Sequence, residues 1–416
     1  MSKVEFTRIS SCRVDLGYST RVIKRKAFWY QKWAQSDQLE PLFKEIDVIL
    51  RRQSLDGERS FKAYLQCMGG ATVAKQSDLN TVPPSELFER VRRTFPNSFP
   101  LDEELVIKDS EAFWRICRLI KRIFIESGQV DILGYGYEYF FADLFKGKTG
   151  KYFTPRTVVD FCIKLACIRE SDVVCDPTCG SGGFLARIRS REASTSKTNW
   201  LVGNDIDPIL TRAASLNISL SGLHDFKMYN DDVFDLRSSF HKENDGQIDA
   251  VLANPPFSLM ISDRSILGQY QWPNESRRVT SDQLFMESMM HLLKPGGRLI
   301  TVLPHSIIAN SENTRFREWL SKQWVELATI SLPEGLFYPF GESAARACIV
   351  SLQLRGPVSK DHLVMKAAVE SVGYDLKAKS FKPISQNDFQ RILGTEEFAL
   401  YRKQLNTGLL VNWLEA

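Results

Sequence analysis

A doubly wound α/β domain preceded by an α-helical one is the architecture the sequence predicts. Three observations carry this. Apolar residues recur at helical spacing from Ser85 to Leu144. Short apolar runs then alternate with helical stretches. The first and fourth of those runs end in a glycine-rich turn and in a pair of prolines. The 416 residues suggest two domains. With 43 % hydrophobic and 25 % charged residues, the chain is not a disordered segment, a collagen-like fibre or a disulfide scaffold. Apolar runs fall short of the roughly 18 residues a membrane span needs, and MSKVEFTRIS has no apolar signal region. A soluble, cytoplasmic protein with no membrane association is expected. The net charge of +4 is too small to announce nucleic-acid binding, so any basic surface must come from segregated charges. Cys175 and Cys179 lie four apart with no second Cys/His pair at ligand spacing, so no metal site is expected.

Taken in order, residues 1–82 form an accessory segment of unknown role. Its basic aromatic stretch, Arg21 to Trp33, suits an amphipathic helix burying Phe28, Trp29 and Trp33, or a nucleic-acid contact. Gly69-Gly70 and Pro83-Pro84 punctuate it, the prolines offering a helix start at Ser85. Residues 83–148 are the helical domain: Phe113, Ile116, Cys117, Ile120, Ile123 and Phe124 make one apolar stripe, capped by Asp109 or Ser110. A second amphipathic stretch, Tyr135 to Phe145, precedes the connector GKTG (147–150).

Residues 149–356 are the α/β domain. Strands are expected at Val173–Cys175, Trp200–Gly203, Phe226–Tyr229, Ile248–Ala253, Arg298–Leu303, Leu327–Leu332 and Cys348–Leu352, with helices such as Pro208–Leu220 and Asp282–Leu293 between them. The alternation argues for a parallel sheet covered on both faces, with ligands at the carboxyl ends of its strands. Residues 357–416 form a tail whose apolar spacing from Asp388 to Leu414 serves a partner or its own domain.

The strand ends carry the chemistry. After the first strand, Gly180, Gly182 and Gly183 make a turn that lets backbone approach a ligand; the spacing is neither the dinucleotide fingerprint nor a phosphate-binding loop. An acid ending the second strand can accept both hydroxyls of a ribose, and Asp205 suits this better than Asp207, which with Pro208 reads as a helix start. The third strand ends at Asn230-Asp231-Asp232, acceptors for an exocyclic amino group or helix caps. The fourth runs into Asn254-Pro255-Pro256-Phe257, where two prolines fix an extended backbone. Asn254 and a neighbouring carbonyl can then accept both hydrogens of an amino group, and Phe257 offers a face for an extruded base. The bland alternative is a turn with a capping Asn.

Asn254–Phe257 matches the (N/D/S)PP(Y/F) motif of amino-group methyltransferases. DPTCGSGGF (176–184) resembles their S-adenosylmethionine loop, and TGKYFTPR (149–156) resembles the motif that wraps the methionine end of that cofactor. With LKPGGRLITVLP (293–304) and ISLPEGLFYPFGES (330–343), the chain from about Ser85 to Leu354 resembles the modification subunit of type I restriction-modification systems. That is an N6-adenine DNA methyltransferase built on a doubly wound seven-stranded sheet. The resemblance implies that Lys151, Tyr152, Phe153, Thr154, Pro155 and Arg156 hold the methionine part of S-adenosyl-L-methionine. Asp176 and the turn Gly180-Ser181-Gly182-Gly183 face its amino acid and sugar, Asp205 its ribose and Asp232 its adenine. Asn254, Pro255, Pro256 and Phe257 receive the target adenine. The family usually has Glu where Asp205 stands.

The resemblance further implies in-line methyl transfer to adenine N6 of double-stranded DNA, with no nucleophilic cysteine. Only some 60 residues follow the last strand, which suggests that a separate specificity subunit reads the DNA. Two copies of this chain would flank that subunit, with a restriction subunit as a further partner. The rival expectations are methylation of protein glutamine or RNA, and a non-catalytic scaffold.

Overall fold

The computed structural model describes residues 4–8, 39–78, 81–126, 132–141, 154–188, 200–272, 278–336, 346–355, 362–376 and 383–407. The basic aromatic stretch at 21–33, the GKTG connector, and Lys151, Tyr152 and Phe153 lie outside the described residues.

After strand β1 (Val4–Arg8) come five helices: α1 (Leu39–Arg52), α2 (Gly57–Val73), α3 (Pro84–Thr94), α4 (Ser110–Glu126) and α5 (Ile132–Phe141). Phe43, Phe61, Tyr64, Phe88, Phe113 and Trp114 of these helices belong to one buried core. Among the described residues the helical layer takes in Leu39 onward, so the second half of the expected accessory segment is part of it. Gly69-Gly70, read as punctuation, lies inside α2. A Cβ there would stand 2.5 Å from Val91 Cγ1 and 2.9 Å from the Phe113 ring, so the glycines let α3 and α4 approach. The cap of α4 is Asp109, whose Oδ1 accepts from Ala112 N at 3.0 Å.

Strands and helices then alternate: α6 (Arg156–Ala166), β2 (Val173–Asp176), β3 (Trp200–Asn204), α7 (Pro208–Leu220), β4 (Phe226–Tyr229), α8 (Ser239–Asn244) and β5 (Ile248–Ala253). A two-stranded ribbon, β6 (Met260–Ile261) with β7 (Val279–Thr280), encloses α9 (Arg264–Leu267). Next come α10 (Ser281–Leu292), β8 (Leu293–Pro304), α11 (His305–Ala309), α12 (Thr314–Gln323), β9 (Trp324–Ser331), β10 (Ala347–Leu354) and β11 (Leu363–Ala368). The ribbon β12 (Val372–Tyr374)–β13 (Pro383–Asn387) and helices α13 (Asp388–Leu393) and α14 (Glu396–Thr407) follow.

The main sheet has the order β1-β11-β9-β10-β8-β5-β2-β3-β4 among the described residues. The seven expected strands form its contiguous part. Two more extend one edge: β11 lies parallel to β9, and β1 pairs antiparallel with β11. The sheet is mixed rather than parallel, because β10 runs antiparallel to both β8 and β9. Cys348–Leu352 is a continuous buried run, and such a run carries no sign of direction. Helices α6, α13 and α14 cover one face, and α8, α10 and α12 the other.

Helix α7 serves two cores. Its Ala214 and Ile218 pack toward the sheet, whereas Ile209, Leu210, Ala213 and Leu216 complete the core of the helical layer. Arg212 reinforces the seam, donating from Nε to Ser98 O at 2.8 Å and pairing with Glu103. The tail packs on its own domain: Phe389, Ile392, Phe398, Tyr401 and Leu405 are buried, and the Tyr401 hydroxyl donates to Leu165 O at 2.7 Å. That uses the apolar spacing read in the tail as far as Thr407; residues 408–416 lie outside the described set.

Candidate active site

The chain passes from β2 to β3 and β4 on one side, then to β5 on the other side of β2. The switch in strand order therefore falls between β2 and β5, where open α/β sheets bind ligands. A cavity of about 340 Å³ lies there, lined by residues at the carboxyl ends of β2, β3, β4 and β5. Of the residues singled out from the sequence, Thr154, Asp176, Gly180, Ser181, Gly183, Asp205, Asp232, Asn254 and Pro256 line it. Pro155 and Arg156, at the start of α6, and Gly182, Pro255 and Phe257 do not line it.

The glycine turn is shaped by two different needs. Gly180 has φ +53°, and a Cβ there would meet no atom within 4 Å, so its backbone faces open space. Gly182 has φ +80° and lies so close to α7 that a Cβ would stand 3.1 Å from Ala214 Cα. One glycine exposes backbone to a ligand, and the other seats the turn on its helix.

Asp205 accepts from Gly180 N and from Asp207 N, both at 2.9 Å, one on each carboxylate oxygen. These contacts fix the carboxylate at the cavity. Asp207 caps α7 by accepting from Ile209 N at 3.0 Å, with Pro208 in the first turn as the sequence suggested. Asp232 is exposed and accepts from Phe234 N at 2.9 Å. Asp231 instead accepts from Ser239 Oγ and Phe240 N in the first turn of α8, whose N-cap is Ser238. Asp176 is 1 % exposed, and burial, with the nearby Asp205 charge, raises its carboxyl above the usual range.

Two contributions were not legible in the sequence. Asn204, buried at the end of β3, donates to Pro177 O and Asp231 O and accepts from Asp231 N. It ties three strand ends together. Ser281 and Asp282 open α10 and hold the loop after Asn254–Phe257. Ser281 Oγ donates to Pro256 O at 3.0 Å and accepts from Leu259 N, and the Asp282 carboxylate accepts from Ser258 N. Neither pair forms a motif by spacing, because their partners lie more than 20 residues away in sequence.

Asn254 is the centre of the arrangement. Its Nδ2 donates to Thr154 Oγ1 at 3.0 Å, joining the end of β5 to the turn before α6. Its Oδ1 is buried and has no hydrogen-bond partner. A buried acceptor left unpaired costs about 1–3 kcal/mol, so such an atom at a cavity marks a place for a donor. The side chain thus offers an acceptor, and the carboxylates of Asp205 and Asp232 line the same cavity.

Residues 128–404, more than half of the chain, match the model of the N-6 DNA Methylase family. Among curated relatives, the type I restriction enzyme HindI methylase subunit of Haemophilus influenzae is 24 % identical over 293 residues, covering 65 % of this chain and 61 % of that one. The MjaVIII methylase subunit of Methanocaldococcus jannaschii is 25 % identical over 281 residues, covering 63 % of this chain and 46 % of that one. The chain thus spans less than two thirds of the length of these relatives. A crystal structure described as a modification subunit of a putative type I restriction enzyme from Vibrio vulnificus superposes with a TM-score of 0.60 at 17 % identity. It covers 87 % of this chain and 90 % of that one, and supports the fold. The sequence motifs, the strand-end geometry and the family match agree: the chain belongs to the N-6 DNA methylase family.

Proposed function

We propose that the protein transfers a methyl group from S-adenosylmethionine to N6 of an adenine in DNA, as the modification subunit of a type I restriction-modification complex. The observation that carries this reading is the unpaired buried Oδ1 of Asn254, a residue lining the same cavity as Asp205 and Asp232.

The residues fit the cofactor. The open backbone at Gly180 suits its amino-acid end, the Asp205 carboxylate lining the cavity suits its ribose hydroxyls, and Asp232 suits its adenine amino group. Ile206, 64 % exposed at the cavity, offers an apolar surface for that ring. When bound, S-adenosylmethionine supplies the electrophilic methyl group.

Asn254 Oδ1 and the Pro255 carbonyl would accept the two hydrogens of the target amino group. Holding both draws the nitrogen lone pair out of conjugation with the ring and aims it along the line of transfer. This is positioning and electrostatics rather than acid–base work. Phe257 would stack on the base, which must leave the duplex at a cost of about a few kcal/mol. A separate specificity subunit would choose the site, with two copies of this chain beside it and a restriction subunit as a further partner.

The test is single-molecule methylome sequencing of the source strain beside an isogenic strain carrying Asn254→Ala. Loss of N6-methyladenine at one bipartite motif is expected. An unchanged methylome refutes the reading.

A further inference from the structure

We infer that Asp282, assisted by Ser281, is a positioning residue that sets the backbone of Asn254–Phe257 for methyl transfer. The inference rests on the function proposed above.

The two prolines of the motif stiffen its start, but its end is a sharp reversal. Ser258 has φ +56°, a left-handed conformation that a residue with a Cβ rarely adopts. Something must hold it there. The Ser258 N–H is shared between the two Asp282 oxygens at 3.1 and 3.0 Å. Next to it, Ser281 grips the loop at both sides, through Pro256 O and Leu259 N, and its own N–H donates to Leu259 O at 2.7 Å. Ser281 is fully buried, and Asp282 is 2 % exposed.

Asp282 lies in the first turn of α10, whose N-cap position is Thr280, so capping does not account for it. Among the described residues no cation pairs with it, and burial lifts its carboxyl to about 6, so at neutral pH it is a buried charge kept without a counter-ion. A neutral residue in the same turn would not carry that cost. What the carboxylate gains is a two-oxygen acceptor for the strained Ser258 N–H, one residue beyond Phe257.

The experiment uses the complex isolated from the source strain through a tag on this chain, in parental, Asp282→Ala and Asp282→Ala/Ser258→Gly forms. Glycine accepts positive φ without strain, so it removes the need for the clamp. Asp282→Ala is expected to lower single-turnover methyl transfer about 100-fold, the scale of a misplacement of about 1 Å. S-adenosylmethionine affinity by calorimetry is expected to stay within about twofold, because Ser281 and Asp282 bond only to the loop 256–259 and to none of the residues proposed to hold the cofactor. Hydrogen exchange over residues 255–261 should rise, and the added Ser258→Gly should restore at least about tenfold of the rate. Transfer within about threefold of the parent, unchanged exchange at 255–261, or no recovery with glycine would overturn the inference. Exchange is read without DNA. A parent that transfers no methyl group to DNA therefore refutes the proposed function, while the exchange result still decides whether the clamp exists.

Discussion

At the residue scale, each polar atom of the site has a different kind of partner, and the predictions follow from which partner is removed. Thr154 accepts from Asn254 Nδ2, so Thr154→Val leaves a buried donor unpaired and frees the amide to turn. Methyl transfer should fall roughly tenfold, the worth of one neutral hydrogen bond, whereas Thr154→Ser should stay near the parent. Steady-state kinetics on the two variants checks this. Asp205→Ala removes the acceptor for Gly180 N and the proposed ribose contact together, and calorimetry should show cofactor affinity reduced by about 2–3 kcal/mol. Asp282 yields a pH prediction. Its folded carboxyl titrates at about 6, above its ordinary 3.8, so the folded state favours the protonated form. That contribution to stability is fully present below pH 4 and is lost as pH rises through 6. Asp282→Asn has no such titration. Urea denaturation should therefore show the variant gaining on the parent by up to about 3 kcal/mol between pH 4 and pH 7. A more stable variant that transfers less methyl is the pattern expected of a functional strain.

At the element scale, the sheet is locked to its covering helices by buried charge as well as by apolar packing. Arg298 on β8 is 4 % exposed, donates to Ala166 O at 3.0 Å and Cys167 O at 2.7 Å at the end of α6, and pairs with Asp172. Arg298→Leu should destabilise the fold by about 3–5 kcal/mol by stranding Asp172, and Arg298→Leu/Asp172→Leu should recover part of it; thermal denaturation of both tests the pair. This scale also shows what sequence can carry. Strands β4 and β5 and helix α7 have the bounds read from apolar runs and from the Asp207-Pro208 start, because local pattern and local capping set them. The direction of β10, the extra strands β1 and β11, and the inclusion of α1 and α2 in the helical layer depend on pairings between residues far apart. So do Asn204, Ser281 and Asp282, ordinary polar residues until the loops they join are brought together. The motif residues were legible because prolines, glycines and strand ends constrain backbone locally; their supports were not.

At the scale of the whole molecule, α7 joins the helical layer to the sheet. One of its faces completes the helical core, the other packs toward the sheet, and Leu210 near its start lines the cavity. The helical layer is therefore not an appendage but one wall behind the site. Two bodies that share a helix should unfold together, so calorimetry of the parental chain should give a single transition. Ala213 is fully buried on the helical side of α7, and Ala213→Asp places an unpaired charge in that seam while leaving the sheet-facing residues untouched. The variant should split the transition in two, the first step releasing the helical layer. Limited proteolysis should then leave a fragment containing strands β2 to β5 and β8 to β11 of the main sheet. Because Arg212 ties the same helix to Ser98 and Glu103, cofactor affinity should weaken along with the seam, through the movement of α7 beneath the glycine turn. Two transitions in the parent, or undiminished cofactor binding in the Ala213→Asp variant, would show instead that the cavity is built by the sheet alone.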